Sequence, residues 1–292
     1  MFTATLLTHP ATPVLEGALV ETLRNACGGG AARWLNPGIA AEFDLPALPS
    51  NRWDIWTDVQ ALGVDLCFQP SAGRRKAMLL ADMDSTMIQQ ECIDELADMA
   101  GVGAHVAAIT ARAMNGELDF EAALIERVGL LKGLPVSVID RVLAERITLM
   151  PGGPVLLATM KAHGGHAALV SGGFTAFTSR VAAMLGFDEN RANTLLAEAG
   201  VLTGDVARPI LGKQAKVDAL HQITARLGIT TAEVMAVGDG ANDLGMLHLA
   251  GSGVALHAKP AVAAQCDLRV NHGDLTALLY LQGYAAADFA AV

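Results

Sequence analysis

The segment Asp82-Met83-Asp84-Ser85-Thr86 sets two carboxylates two positions apart, directly after the apolar run Met78 to Ala81. Burial and mutual repulsion make both charges costly there unless a cation is supplied. A structural Asx turn accounts for one of them and hardly for both. A second pair, Asp239 and Asp243, stands in Gly238-Asp239-Gly240-Ala241-Asn242-Asp243, after the apolar run Val234 to Val237. Carboxylates converging in this way suit a hard divalent ion such as Mg²⁺. Lys213 and Lys216 add an electrostatic anomaly, because both fall in the predicted first turn of a helix running to about Leu227, before Gly228. Cations there oppose the helix dipole by about 0.3–1 kcal/mol each when exposed. Either both are solvated, or at least one faces a bound anion beside the carboxylates.

These groups need elements that bring them together. Met78 to Ala81, Ala167 to Val170 and Val234 to Val237 are short apolar runs, each ending at a polar cluster, respectively Asp82, Ser171 and Gly238-Asp239. They read as buried parallel strands, and helical patterns follow the second and third. The fold class is therefore α/β, a parallel sheet whose carboxyl edge is the ligand-binding edge. The chain between the first two runs is far longer than one crossover needs. It carries apolar residues at helical spacing, namely Ile93, Leu96, Ala97 and Ala100, then Val106, Ile109 and Ala113, then Leu124, Val128 and Leu131. A helical cap over about residues 90–150 fits that pattern.

Residues 1–70 read differently, as strand, helix, strand, strand, helix, strand over Ala4 to Leu7, Pro13 to Ala26, Ala32 to Leu35, Ile39 to Phe43, Asn51 to Leu62 and Val64 to Phe68. Thr12 is the expected cap of the first helix, with Pro13 at its first position, and Ser50 that of the second. Asn36-Pro37-Gly38 marks a tight turn. This order is that of a small α+β ferredoxin-like domain. The polar connector Gln69 to Lys76 separates it from the second domain, residues 77–292.

The chain has 292 residues, 20 basic and 30 acidic side chains and a net charge of −10, which excludes a nucleic-acid-coating protein. With 52% hydrophobic and 17% charged residues it can bury one large core and a smaller one. Its apolar runs stop far short of a membrane span. No basic residue precedes Arg24, so a secretory signal is not expected and the default compartment is the cytoplasm. Cys27, Cys67, Cys92 and Cys266 lack CxxC spacing and read as reduced, buried thiols. The histidines lack metal-ligand spacing, Gly238-Asp239-Gly240 is not a dinucleotide fingerprint, and Lys259 before Pro260 reads as a turn residue. Trp34, Trp53 and Trp56 read as core or interface residues of the first domain.

Taken together, Asp82-Met83-Asp84-Ser85-Thr86, Ser171-Gly172-Gly173-Phe174, Lys216 and Gly238 to Asp243, continuing through His257-Ala258-Lys259-Pro260, resemble the haloacid dehalogenase superfamily, and within it the phosphoserine phosphatases. The resemblance implies the Rossmann-like haloacid dehalogenase fold with its inserted cap. It implies a Mg²⁺-dependent phosphatase that hydrolyses O-phospho-L-serine through an aspartyl phosphate, as the last step of serine biosynthesis. Asp82 would be the nucleophile and Asp84 the proton shuttle. The metal would be held by Asp82, Asp239 and the backbone carbonyl of Asp84, with Asn242 and Asp243 close by. Ser171, Gly172 and Lys216 would bind phosphoryl oxygens.

By the same resemblance Glu91 meets the substrate ammonium, Arg127 its carboxylate, and Met114 and Phe120 wall it from water. Arg127 is unusual from its pattern alone, since Phe120, Leu124, Arg127 and Leu131 lie along one helix stripe. A snorkelling arginine in ordinary packing explains that too. Some bacterial members carry an amino-acid-binding ACT-type domain before the catalytic one, so an amino-acid ligand at residues 1–70 and a homodimer stay open. Two alternatives remain. A phosphotransferase would pass the group to another alcohol such as homoserine, and a serine-sensing protein would keep a vestigial site.

Overall fold

The computed structural model describes residues 1–114 and 117–292, with the side chain of Met114 outside the described set. The first region contains β1 (Phe2–Leu7), α1 (Gly17–Ala26), β2 (Arg33–Asn36), β3 (Ala40–Leu45), α2 (Arg52–Gln60) and β4 (Asp65–Pro70). Its antiparallel sheet has the order β2-β3-β1-β4, the ferredoxin-like arrangement expected from element order. The Asn36-Pro37-Gly38 turn is present, with Gly38 in the left-handed region at φ +78° and Ile39 N–H bonded to Asn36 O.

Both expected helix caps are corrected. α1 starts at Gly17 after Glu16, and α2 follows Asn51, neither with a side-chain cap. Thr12 instead sits in a turn, its N–H bonded to His9 O. Trp34 is not a core residue, being 40% exposed on the edge strand β2. Cys27 is only half-buried, unlike the other three thiols.

The second region begins with β5 (Met78–Ala81), followed by the helices of the inserted module, α3 (Cys92–Met99), α4 (Gly103–Met114), α5 (Phe120–Gly129) and α6 (Ser137–Glu145). The two segments linking the cap to the sheet pair with each other, Ile88 opposite Leu149, with Gln89 N–H bonded to Thr148 O and Met150 N–H to Met87 O. Next come α7 (Gly153–Ala162), β6 (His166–Phe174), α8 (Thr175–Leu185), β7 (Glu189–Asn193), the hairpin β8 (Leu195–Glu198) and β9 (Val201–Val206), then α9 (Lys213–Leu227). The remainder is β10 (Val234–Gly238), α10 (Leu244–Leu249), β11 (Ser252–Leu256), α11 (Pro260–Ala263), β12 (Leu268–Val270) and α12 (Ala277–Leu281).

The six strands form one parallel sheet in the order β12-β11-β10-β5-β6-β7, so β10, β5 and β6 are neighbours. Their apolar residues are fully buried on both faces, which is why they read as continuous runs rather than alternating ones. β6 runs further than its apolar stretch and carries Ser171 to Phe174 within the strand. The hairpin β8–β9, absent from the sequence reading, reaches the cap, where Gly133 N–H donates to Leu202 O and Val136 N–H to Gly200 O. No helix among the described residues is long and apolar enough to cross a membrane.

Candidate active site

Three adjacent strands end at the same edge, and each delivers part of one cluster. β5 is followed by Asp82, β10 by Asp239 and Asp243, and β6 carries Ser171. Asp82, Asp239 and Asp243 are buried, and one oxygen of each lies within 4.8 Å of the others. Gly238 makes this approach possible, because a Cβ there would stand 2.4 Å from Asp243 Cγ.

Lys216, 2% exposed, answers the anomaly at the start of α9. Its Nζ lies 2.6 Å from Asp82 Oδ1 and 2.5 Å from Asp243 Oδ1. Lys213 is exposed, so only one of the two lysines faces the acids. Burial disfavours the Lys216 ammonium, but the two carboxylates overcome this and hold its pKa well above the ordinary lysine value. One lysine cannot neutralise both neighbours. Burial foremost, with repulsion from Asp243 and Asp84, pushes Asp82 well above the usual carboxylate range although Lys216 pulls it down.

Asp84 points to the other side of the cluster. Its Oδ1 accepts the Cys92 N–H at 3.0 Å and its Oδ2 the Ser171 hydroxyl at 3.3 Å. Burial raises its pKa despite these bonds. Ser171 is itself fixed, since its Oγ accepts the Gly173 N–H at 2.8 Å. A Cβ on Gly173 would come 2.8 Å from Asp84 Oδ2, so the bare backbone is needed for this contact.

The cap supplies the roof. Asp119 caps α5 by accepting the Ala122 N–H, and Phe120 then reaches across so that a Cβ on Gly172 would meet its ring at 3.2 Å. Glu91 precedes α3, where its Oε1 accepts the Ser85 hydroxyl at 2.7 Å. Its side chain keeps an open side to solvent, but the wall of protein behind it and the Asp84 charge push its pKa up to about 7. Arg127 is half-buried on α5, its Nε donating to Ala123 O at 3.2 Å. Burial lowers its pKa, against the pull of Asp94 and Glu91, so these two acids are its charged neighbours. Asn242 lies partly buried beside Gly240. Met114 ends α4, and its side chain is outside the described residues.

The donors are hard carboxylate oxygens, buried and in excess over the one lysine, which fits a divalent cation. Asp243 belongs to this cluster more closely than the sequence reading had it, and its Oδ2 also accepts the Gly240 N–H at 2.9 Å. Three residues to which that reading gave no role at the site take part. Thr86 Oγ1 donates to Asp239 Oδ1 at 3.4 Å. Buried Asn193 donates to Gly172 O at 2.9 Å and accepts the Leu211 N–H at 2.7 Å, joining β6 to the approach of α9. Lys259 donates its N–H to Asp239 O at 3.2 Å and its charge lowers the Asp239 pKa, although burial and Asp243 raise it overall. An isolated Asn or a lysine before proline carries no sequence signal for such roles.

A parallel sheet with an inserted helical cap and an acid cluster with one lysine at its carboxyl edge define a hydrolase class, and residues 79–248 match the model of the haloacid dehalogenase-like hydrolases. The chain belongs to that family. It is 46% identical over 224 residues to the phosphoserine phosphatase of Haemophilus influenzae, covering 77% of this chain and 71% of that one. A HAD family hydrolase from Salmonella enterica serovar Typhi superposes with a TM-score of 0.86 at 32% identity, over 96% of this chain and 98% of that one. A phospho-aspartyl intermediate analogue of a phosphoserine phosphatase superposes with a TM-score of 0.64 at 40% identity, over 70% of this chain and 98% of that one.

Proposed function

We propose that this chain hydrolyses O-phospho-L-serine to L-serine and phosphate through an aspartyl phosphate formed on Asp82. The observation that carries the assignment of Asp82 is its place in the acid cluster, with its Oδ1 2.6 Å from Lys216 Nζ. The names of the relatives support the substrate. In this reading Asp82, Asp239 and the Asp84 carbonyl hold Mg²⁺, with Asp243 beside them, and the ion when bound offsets charge on the phosphoryl oxygens.

An Asp82 carboxylate oxygen attacks phosphorus, the ester P–O bond breaks, and the departing serine oxygen takes a proton from Asp84. The raised pKa of Asp84 suits it to carry that proton. Water then attacks the same phosphorus, giving a proton to Asp84, and the bond to Asp82 breaks to release phosphate. Lys216, Ser171 and the Gly172 backbone hold the phosphoryl oxygens, with Asn242 beside them. Glu91 takes the substrate ammonium and Arg127 its carboxylate, while Phe120, with Met114 as its expected partner, keeps water out.

The division into residues 1–70 and 77–292, with a cap over about 90–150, belongs to the same proposal. The separate antiparallel sheet and the four cap helices support it. The ferredoxin-like order of the first sheet is that expected of an ACT-type domain. Asp82→Asn tests the nucleophile. The variant is expected to stay folded and lose turnover by at least about 10³-fold, measured as phosphate released from phosphoserine. Turnover near the wild-type rate would refute it.

A further inference from the structure

The N-terminal sheet is joined to the catalytic region through buried side chains, and β4 lies against β12. Two of these contacts lead to α12 and end there. Gln69 Nε2 donates to Leu281 O at 2.7 Å, and Arg74 donates to Leu281 O and Tyr280 O while pairing with buried Glu42. A third leads elsewhere. Asp65, fully buried at the start of β4, accepts three successive N–H groups from the loop after β12: Asn271 at 2.9 Å, His272 at 2.9 Å and Gly273 at 2.8 Å.

That loop holds the next one. Gly273 O lies 2.8 Å from His257 Nε2, and since a carbonyl only accepts, Nε2 carries the proton. His257 follows β11 with φ +46°, a left-handed backbone that a residue with a side chain keeps only when its surroundings fix it. The fixing bonds are this one and its N–H to Val270 O at 2.7 Å. Two residues later the Lys259 N–H meets Asp239 O. Three hydrogen bonds, the last two joined by the short backbone stretch from His257 to Lys259, therefore connect Asp65 through Gly273 and His257 to the backbone of Asp239.

We propose that Asp65 is a positioning residue for Asp239, acting through Gly273 and His257, so that the N-terminal sheet helps set how tightly the catalytic region holds its divalent cation. This rests on Asp239 being a metal ligand, as in the proposed function. Outer contacts of a metal ligand tune affinity because they fix the ligand's direction before the ion arrives.

The test uses the full chain with Asp65→Asn, His257→Ala, His257→Gln and Gln69→Met. Mn²⁺ binding is followed by electron paramagnetic resonance, together with the Mg²⁺ concentration for half-maximal activity and the KM for phosphoserine at saturating Mg²⁺. Asp65→Asn and His257→Ala are expected to weaken Mn²⁺ binding and raise the Mg²⁺ requirement by about 3- to 10-fold with KM unchanged. His257→Gln, which keeps a donor, should recover part of the loss. Gln69→Met should lower thermal stability and leave metal binding alone. If Asp65→Asn does not fold, His257→Ala decides, because His257 is exposed and, among the described residues, its side chain bonds to Gly273 O and not to the N-terminal sheet. Unchanged Mn²⁺ affinity in folded His257→Ala, or an equal loss in Gln69→Met, overturns the inference. Wild-type protein that neither binds Mn²⁺ nor loses activity in chelator overturns the metal reading instead.

Discussion

Replacing Lys216 by methionine keeps the length of the side chain and removes its charge, which isolates what that charge does. Among the described residues, Lys216 is the cation in contact with Asp82 and Asp243, at 2.6 and 2.5 Å. Removing one partner of a buried ion pair costs about 3–5 kcal/mol, because the other charge is left uncompensated. The loss has a ceiling. A stranded carboxyl can take up a proton at pH 7 for at most about 4 kcal/mol relative to the unfolded chain, where its pKa is near 4, and that cost shrinks by about 1.4 kcal/mol per unit of acidification. For a chain of this size 1 kcal/mol corresponds to roughly 2–4 °C in Tm. In chelator at pH 7, Lys216→Met is therefore expected to melt about 6–15 °C below the wild type. At pH 5 most of the gap should close, and excess Mg²⁺ at pH 7 should narrow it. The assay is differential scanning calorimetry at several pH values, with and without metal. A variant that melts within a degree of the wild type across that range, in chelator, would refute the charge argument.

The other expectations concern the cap and the sheet edge. Glu91 must be ionised to meet an ammonium, and its pKa stands at about 7. KM for phosphoserine should rise as pH falls below 7, by up to about tenfold per unit, and Glu91→Gln should abolish that component while the titration of the substrate itself stays common to both. The same shift has a stability consequence. The native carboxyl binds its proton more tightly than the unfolded one with its ordinary pKa of 4.5, so this contribution is lost as pH rises through 7 in unliganded protein. Arg127→Ala should raise KM for phosphoserine about 10- to 100-fold, the worth of a charge-assisted contact, but leave KM for phosphoethanolamine nearly unchanged; equal effects would remove Arg127 from carboxylate recognition. Gly238→Ala puts a methyl 2.4 Å from Asp243 Cγ, so Mn²⁺ binding should be lost even in protein that folds, as titration would show.

What could be read in the sequence were local signals with a physical cause. Met78 to Ala81 coincides with β5 because a strand buried on both faces must be continuously apolar. Lys216 announced itself by opposing a helix dipole, and it is the lysine that turned inward. Arg127 stood out as a charge on an apolar stripe, and it lies near Glu91 and Asp94. Long-range pairings left no such trace. Nothing near Asn193 or Lys259 predicts that distant strands will bring them to Gly172 or Asp239. The caps at Thr12 and Ser50 failed because a residue able to cap a helix is equally at home in the turn before it. The hairpin β8–β9 was missed since Leu195 to Val206 is short and mostly exposed, so it lacks an alternating apolar pattern.

That hairpin changes how the roof over the acids can move. Held where its linking segments pair around Ile88 and Leu149, again where Gly133 and Val136 bond to the β8–β9 hairpin, and by ion pairs such as Arg180–Asp140, the helical module is a bridge on several supports rather than a door on one hinge. Lifting it means bending the span or releasing one of these supports. The hairpin thereby steadies the roof from a stretch of chain that carries none of the site residues.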